Sequence, residues 1–282
     1  MNELSKTSET MKKKTYKQLL SMEDPVTWIT AYDYPLSYCC EQAGIDMILV
    51  GDSGGMVQLG YDNTVPVTMD EMITMCRAVR RGAPNTFIVG DMPMGSYEVS
   101  REQAITNAIR FIKEGGCDAV KLEGGARVVA QLKGISDAGV DVIGHLGFTP
   151  QSMNVGVHGK TDGDINDIFR EAIMIGSVGV KMILFEALTN RAGDIIKGSL
   201  LREEDLSPIK CMGIGSGIHM DGQLIIIHDL LGFYHKFKPK FAKNYVESVT
   251  GTGFTDIAIK AVKQYVKEVK AGEFPSKDYW YE

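Results

Sequence analysis

The hydrophobic and polar positions of this chain fall into an alternation of two patterns. Short, almost continuously apolar runs are separated by segments of helical period. The runs are Thr27–Ala31 (TWITA), Met47–Gly51 (MILVG), Phe87–Gly90 (FIVG), Asp118–Leu122 (DAVKL), Asp141–His145 (DVIGH), Lys181–Phe185 (KMILF), Cys211–Gly215 (CMGIG) and Leu224–Ile227 (LIII). Runs of this length predict strands buried on both faces, as in a parallel sheet covered by helices.

The segments between them carry helix start and stop signals. Thr68 with Glu71 three residues on is a capping-box pattern, and that helix is expected to end at Gly82 and Pro84. Ser100 with Gln103 repeats the device, and Gly115–Gly116 stops that helix. Further helices are expected over Ala126–Ala138, Ile165–Val178 and Asp256–Ala271, each followed by glycine. Tyr16–Met22 predicts a short helix able to plug a barrel floor. About eight βα units in ~250 residues match a closed (β/α)8 barrel. An open doubly wound sheet is the alternative, but no GxGxxG follows the first strand, which argues against a dinucleotide fold. No linker or low-complexity stretch divides the chain. The expected organisation is a flexible polar tail over 1–13 and one barrel domain over 14–282.

Most of these runs end on a side chain suited to chemistry: Asp52, Asp91, Lys121 with Glu123, His145, Glu186 and His228. In a parallel barrel all strand C-termini open onto one face, so residues distant in sequence meet in one cup. Asp52, Asp91 and Glu123 at neighbouring strand ends would repel one another unless a cation or a proton intervenes. A hard divalent cation such as Mg²⁺ takes oxygen ligands and keeps sites for water or substrate oxygens. A 2-oxo acid offers two such oxygens, and a cation there would stabilise its enolate. The bland alternative is that some of these carboxylates cap loops or helices.

Lys121 and Glu123 are two apart on one strand and share a face. An inward Lys needs an anion. A substrate carboxylate or enolate would serve, and so would a salt bridge to Glu123 or Asp91. Glu186 ends an apolar strand, where partial shielding from water favours a general base. His145, in GHLG, would contact a substrate oxygen or be a satisfied structural histidine. His228 reads as structural. The GIGSG string at Gly213–Gly217 fits an anion-binding nest or a tight turn equally well.

Composition narrows the function class. A net charge of −6 gives no basic face for nucleic acid. The polar start, MNELSKTSETMKKK, lacks the apolar core of a secretory signal, and no run of about 18 apolar residues predicts a membrane span. Cytoplasmic location is the default expectation. The five cysteines contain no CxxC, as for buried thiols in a reducing compartment.

Several ordered strings carry a resemblance. TAYDYP (Thr30–Pro35), LVGDSGGM (Leu49–Met56), PVTMDEM (Pro66–Met72), VRRGAPN (Val79–Asn85), VKLEGG (Val120–Gly125), GHLGFTPQS (Gly144–Ser152), GIGSG with DGQ (Gly213–Gln223), HDLLG (His228–Gly232) and KFAKNY (Lys240–Tyr245) resemble the ketopantoate hydroxymethyltransferase family over nearly the whole chain. The resemblance implies a (β/α)8 barrel of the phosphoenolpyruvate mutase and isocitrate lyase type. It implies transfer of a hydroxymethyl group from 5,10-methylenetetrahydrofolate to 3-methyl-2-oxobutanoate, with Mg²⁺, in pantothenate biosynthesis. It also implies Asp52, Asp91 and Glu123 as metal ligands, Asp52, Ser53, Asp91 and Lys121 as substrate contacts, Glu186 as base, and a homo-oligomer, commonly a decamer.

The chain departs from the family in three places. MNVGVHGKTDG (Met153–Gly163) stands where the family has a glycine-rich loop with an aromatic residue and a VQG string. GDSGG replaces GDSLG, and LFEAL surrounds Glu186 in place of LECV. The alternatives are a related C–C lyase, a hydroxymethyltransferase for another 2-oxo acid, and a non-catalytic 2-oxo-acid-binding barrel. Such lyases carry a cysteine in a KKCGH-like string, which is absent here, and a pure binder has no use for Glu186.

Overall fold

The computed structural model describes residues 12–152, 156–204, 206–232, 234–246, 249–251 and 253–282. Eight parallel strands close into a barrel in sequential order. They are β1 (Val26–Thr30), β2 (Met47–Val50), β3 (Phe87–Asp91), β4 (Ala119–Glu123), β5 (Asp141–Gly147), β6 (Met182–Glu186), β7 (Lys210–Ile214) and β8 (Gly222–Ile226). The helices are α1 (Tyr16–Leu20), α2 (Tyr34–Gln42), α3 (Gly54–Val57), α4 (Met69–Gly82), α5 (Arg101–Arg110), α6 (Val129–Asp137), α7 (Asp162–Gly176), α8 (Asn190–Leu200), α9 (Ile227–Leu231) and α10 (Phe254–Lys270). Among the described residues, no helix is long and apolar enough to cross a membrane.

The period-two rule for strands divides the apolar residues into two cores. Val26, Trp28, Met47, Leu49, Phe87, Val89, Ala119, Ile143, Met182, Leu184, Met212, Ile214 and Leu224 fill the barrel interior. The alternate positions, such as Ile48, Ile88, Val120, Val142, Ile183 and Ile225, pack outward against the helices. Burying each such side chain contributes roughly 1.5–3 kcal/mol. Tyr16 and Leu19 of α1 join the interior cluster from below, so α1 is the expected floor plug.

The capping signals stand where the sequence places them. Thr68 and Glu71 form a reciprocal box on α4, and Ser100 accepts from the Gln103 N–H on α5. Thr161 caps α7, which therefore starts before the expected Ile165. The expected loose tail ends in contact with the barrel: Lys13 pairs with Asp118 and Lys14 with Asp46. Asp46 also accepts from the Thr27 N–H and hydroxyl, locking the starts of β1 and β2 together. Residues 1–11 of that tail lie outside the described residues.

Candidate active site

The strand phase that fills the barrel with apolar side chains also sets the site. Asp91 is in step with Phe87 and Val89, Lys121 and Glu123 with Ala119, His145 with Ile143, and Glu186 with Met182 and Leu184. These residues therefore point inward, above the apolar layer. Register makes them neighbours: Asp91 lies beside Lys121, Glu123 beside His145, and Gly147 beside Glu186. His145 lies inside β5, not after it, because that strand runs on to Gly147.

Lys121 is the buried cation of the group. Its Nζ lies 2.8 Å from Asp91 Oδ1 and 3.1 Å from His145 Nδ1. The internal salt bridge considered from sequence is thus formed with Asp91. Burial opposes the charged form of Lys121, but Asp91, Glu123 and Asp52 together raise its pKa and keep it protonated. Burial lowers the pKa of His145, and the Lys121 charge adds to this, so the ring is neutral near pH 7. An ammonium at Nδ1 must donate there, which assigns the histidine proton to Nε2. His145 Nε2 lies 3.2 Å from Glu186 Oε2, but it is buried and makes no aligned hydrogen bond. That leaves a buried N–H aimed at the mouth beside a carboxylate. Glu186 is less enclosed than its neighbours, its side chain being 20% exposed against 1% for Glu123.

The three acidic candidates gather around the Lys121–His145 pair: Asp91 is the partner of Lys121, and Glu123 Oε1 lies 3.5 Å from His145 Nδ1. Asp52 follows β2, and its N–H donates to Asp91 Oδ2 at 3.2 Å. Burial raises the pKa values of Asp52, Asp91 and Glu123; Asp91 and Glu123 raise that of Asp52 further. Three buried carboxylates facing one buried ammonium leave excess negative charge. Hard oxygen donors in such a pocket fit Mg²⁺. Among the described residues, no group of three or more His, Cys, Asp or Glu side chains is arranged to hold a metal by itself. A Mg²⁺ ion held there would take one or two of these carboxylates and complete its octahedron with water and substrate oxygens.

Sequence reasoning did not single out Gln151. It sits in a 3₁₀ turn (Pro150–Ser152) directly after β5. Its Nε2 donates to Asp52 Oδ2 at 2.7 Å and to the Met92 carbonyl at 3.0 Å, while its backbone N–H donates to Glu123 Oε2 at 3.1 Å. Tyr97, fully buried in the loop after β3, donates its hydroxyl to Gln151 Oε1 at 2.5 Å and fixes the amide orientation. The TPQS string was the available signal, but an isolated loop glutamine declares no chemistry until the fold places it.

Ser53 hydrogen-bonds the Tyr32 hydroxyl at 2.8 Å. The unusual Gly54 beside it is explained by packing: a Cβ there would lie 2.7 Å from the Tyr32 ring and 2.8 Å from Met75 Sδ. Gly147 has φ +90°, and a Cβ would come within 2.3 Å of the Glu186 carbonyl, so only glycine allows β5 to approach the Glu186 backbone. One expectation changes. His228 opens α9 instead of ending a strand; it is buried against Tyr32, with its pKa pushed down to about 4 by burial. Gly213 and Ile214 of the GIGSG string end β7, and Gly215–Gly217 form the turn after it, one of the two readings of that string. Ser216 donates to the Phe185 carbonyl at 2.7 Å and accepts from the Leu188 N–H at 3.2 Å, tying the ends of β6 and β7. Of the altered segment 153–163, residues 153–155 lie outside the described residues, and His158 pairs with Leu188 beyond β6.

With this geometry, the comparisons with known proteins are decisive. The family model described as ketopantoate hydroxymethyltransferase matches residues 10–277. The chain belongs to the ketopantoate hydroxymethyltransferase family. It is 44% identical over 277 residues to the 3-methyl-2-oxobutanoate hydroxymethyltransferase of Alkaliphilus metalliredigens (strain QYMF), covering 96% of this chain and 93% of that protein. Among solved structures it is similar to the phosphoenolpyruvate phosphomutase of Streptomyces platensis subsp. rosaceus, with TM-score 0.60 and 14% identity over 77% of this chain and 81% of that one. It is also similar to 2,3-dimethylmalate lyase, a PEP mutase/isocitrate lyase superfamily member, with TM-score 0.57 and 13% identity over 77% and 79% of the two chains. The fold is therefore a (β/α)8 barrel like those of these solved structures, as the family's resemblance implies.

Proposed function

We propose that this enzyme is a 3-methyl-2-oxobutanoate hydroxymethyltransferase, acting in the cytoplasm on 3-methyl-2-oxobutanoate with 5,10-methylenetetrahydrofolate as donor. The observation that carries this reading is the placement of Glu186 across the cup from the Lys121–Asp91 pair, with the His145 N–H between them. That arrangement suits proton removal next to a carbonyl. Lys121 receives the acceptor's carboxylate or the developing enolate oxygen. Glu186 takes the proton from C3, and the electron pair passes into the enolate. His145 donates its Nε2–H to an oxygen of the acceptor and, with Nδ1 facing Lys121, is not itself the base. The enolate carbon then bonds to the donor's one-carbon unit. Overall, water supplies the hydroxyl oxygen, tetrahydrofolate leaves and 2-dehydropantoate is formed.

Asp52, Asp91 and Glu123 would hold Mg²⁺, directly or through water, and the bound cation supplies positive charge that stabilises the enolate. Gln151 keeps Asp52 and Glu123 oriented. Ser53 lies beside Asp52 as a further contact for the acceptor. The family match supports a homo-oligomer, for which sedimentation is the check.

The test is a turnover assay over a panel of 2-oxo acids with 5,10-methylenetetrahydrofolate, with Mg²⁺ and with EDTA. Formation of 2-dehydropantoate that EDTA abolishes is expected. Cleavage of a C–C bond without one-carbon transfer would assign a lyase instead, and binding without turnover would assign a 2-oxo-acid-binding barrel.

A further inference from the structure

The segment after α10 returns to the barrel mouth. Phe274 is buried among Tyr245 and Tyr265, with ring centroids at 6.1 and 5.6 Å. Tyr279 rests on Phe274 at 6.2 Å, and the Lys243 ammonium stands 5.8 Å from the Tyr279 ring. From this anchor the chain reaches the loop beyond β6. Tyr281 pairs with Thr189 as an isolated parallel bridge, and the Asn190 N–H donates to the Tyr281 carbonyl at 2.9 Å. Thr189 is only three residues beyond Glu186.

The Tyr281 ring meets Phe241 edge-on, with centroids 6.5 Å apart and an interplanar angle of 78°. It packs onto the barrel-interior cluster that contains Leu184, Ile214 and Phe241. Phe241 lies against the backbone of Gly215, at the end of β7, and Ile214 is the register partner of Glu186. The wall beside Glu186 on the β7 side is therefore apolar. Burial, and then the negative charge of Glu186, keep the Tyr281 phenol protonated, which agrees with that placement.

On the proposed reaction, the acceptor's carboxylate end lies toward Lys121, Asp52 and Asp91, on the β2–β4 side. Its C3 must face Glu186 on β6. The alkyl groups on C3 then project past Glu186 toward Ile214, Phe241 and Tyr281. Ile214 and Phe241 are buried, whereas Tyr281 is half-buried at the mouth and can define how far an alkyl branch extends. We infer that Tyr281 is a specificity-determining residue that walls the alkyl subsite and sets the size of 2-oxo acid accepted. This rests on the functional reading above.

The test follows C3 proton exchange with deuterated solvent by NMR, with Mg²⁺ and without the folate donor. It compares kcat/KM for 3-methyl-2-oxopentanoate with that for 3-methyl-2-oxobutanoate. Tyr281→Ala should raise this ratio about tenfold, the scale of discrimination for one methylene in an apolar pocket. Tyr281→Trp should lower it, and Tyr281→Phe should leave it unchanged. Equal ratios in wild type, Tyr281→Ala and Tyr281→Trp overturn the inference, as does a change of the same sign in both. A change in Tyr281→Phe as large as that in Tyr281→Ala would assign the effect to the hydroxyl and also overturn it. Loss of folding in the Ala variant leaves the Trp variant to decide, with a lowered ratio expected. If the wild type exchanges none of these protons, the functional reading itself fails, a result distinct from an unchanged ratio.

Discussion

The Lys121 ammonium lies 3.1 Å from His145 Nδ1, and this contact settles what the histidine can do. A protonated lysine at Nδ1 fixes the neutral Nε2–H tautomer, because both nitrogens cannot present protons to it. His145 then donates toward the mouth and has no free lone pair for the C3 proton. ¹⁵N spectra of His145 should show a neutral ring with a protonated Nε2 at pH 7 and above. In Lys121→Met the histidine pKa should rise, since the Lys121 charge is one of the causes that lower it. A charged ring in the wild type at pH 7 would contradict the assignment.

Lys121 and Asp91 form a buried pair, with side chains 2% and 3% exposed. Removing one partner strands the other charge, which typically costs ~3–5 kcal/mol. Lys121→Met should therefore lower denaturation midpoints strongly, and adding Asp91→Asn should restore part of the loss. Additive effects in this double-mutant cycle would show that the two groups do not interact. Neither variant should turn over.

Gln151 makes a prediction that the sequence did not offer. Without its amide, Asp52 loses its 2.7 Å donor and the loop loses its link to Met92. Residues that orient metal-binding groups are typically worth 10–100-fold in affinity. Gln151→Ala should weaken Mg²⁺ binding by about that factor in calorimetry, with the barrel still folded. Tyr97→Phe, which frees the amide to rotate, should show a smaller effect in the same direction. Unaltered Mg²⁺ affinity in both variants would remove Gln151 from the site.

Asp229 supplies the pH dependence. Burial pushes its pKa up to about 7, against a smaller opposing effect of Lys238. The folded protein therefore binds this proton more tightly than the unfolded chain does. Stability from this group is complete below the unfolded value of about 4 and is lost as pH rises toward 7. Asp229→Asn should raise stability at pH 8 by roughly 1–4 kcal/mol and make little difference near pH 4. Thermal melts at both pH values check this. An equal shift at the two would point to packing instead of ionisation.

The barrel was legible because buried parallel strands leave a nearly continuous apolar trace, and because caps such as Thr68–Glu71 mark helix starts without tertiary help. The inward set of Asp91, Lys121, Glu123, His145 and Glu186 was legible for the same reason, since strand phase follows from spacing. Which of them touch was not. The choice of Asp91 over Glu123 as the 2.8 Å partner of Lys121 depends on register between strands, and one chain read alone does not contain register. Gln151, Tyr97 and Tyr281 lie on loops or on the returning end segment, where no periodicity marks a functional side chain. The end of β8 was misjudged because LIII is equally apolar as strand or helix, and the chain turns into α9 at Ile227.

The central claim is that Glu186 removes the C3 proton. General-base assistance contributes ~10²–10⁴-fold to such a step, and Gln at this position keeps the size of the side chain while losing the base. Glu186→Gln should still bind Mg²⁺ and 3-methyl-2-oxobutanoate. In deuterated solvent without folate, NMR should show exchange of the C3 proton slowed by that factor, while His145→Asn retains measurable exchange. Exchange at the wild-type rate in Glu186→Gln, together with its abolition in His145→Asn, would contradict the account and make His145 the base.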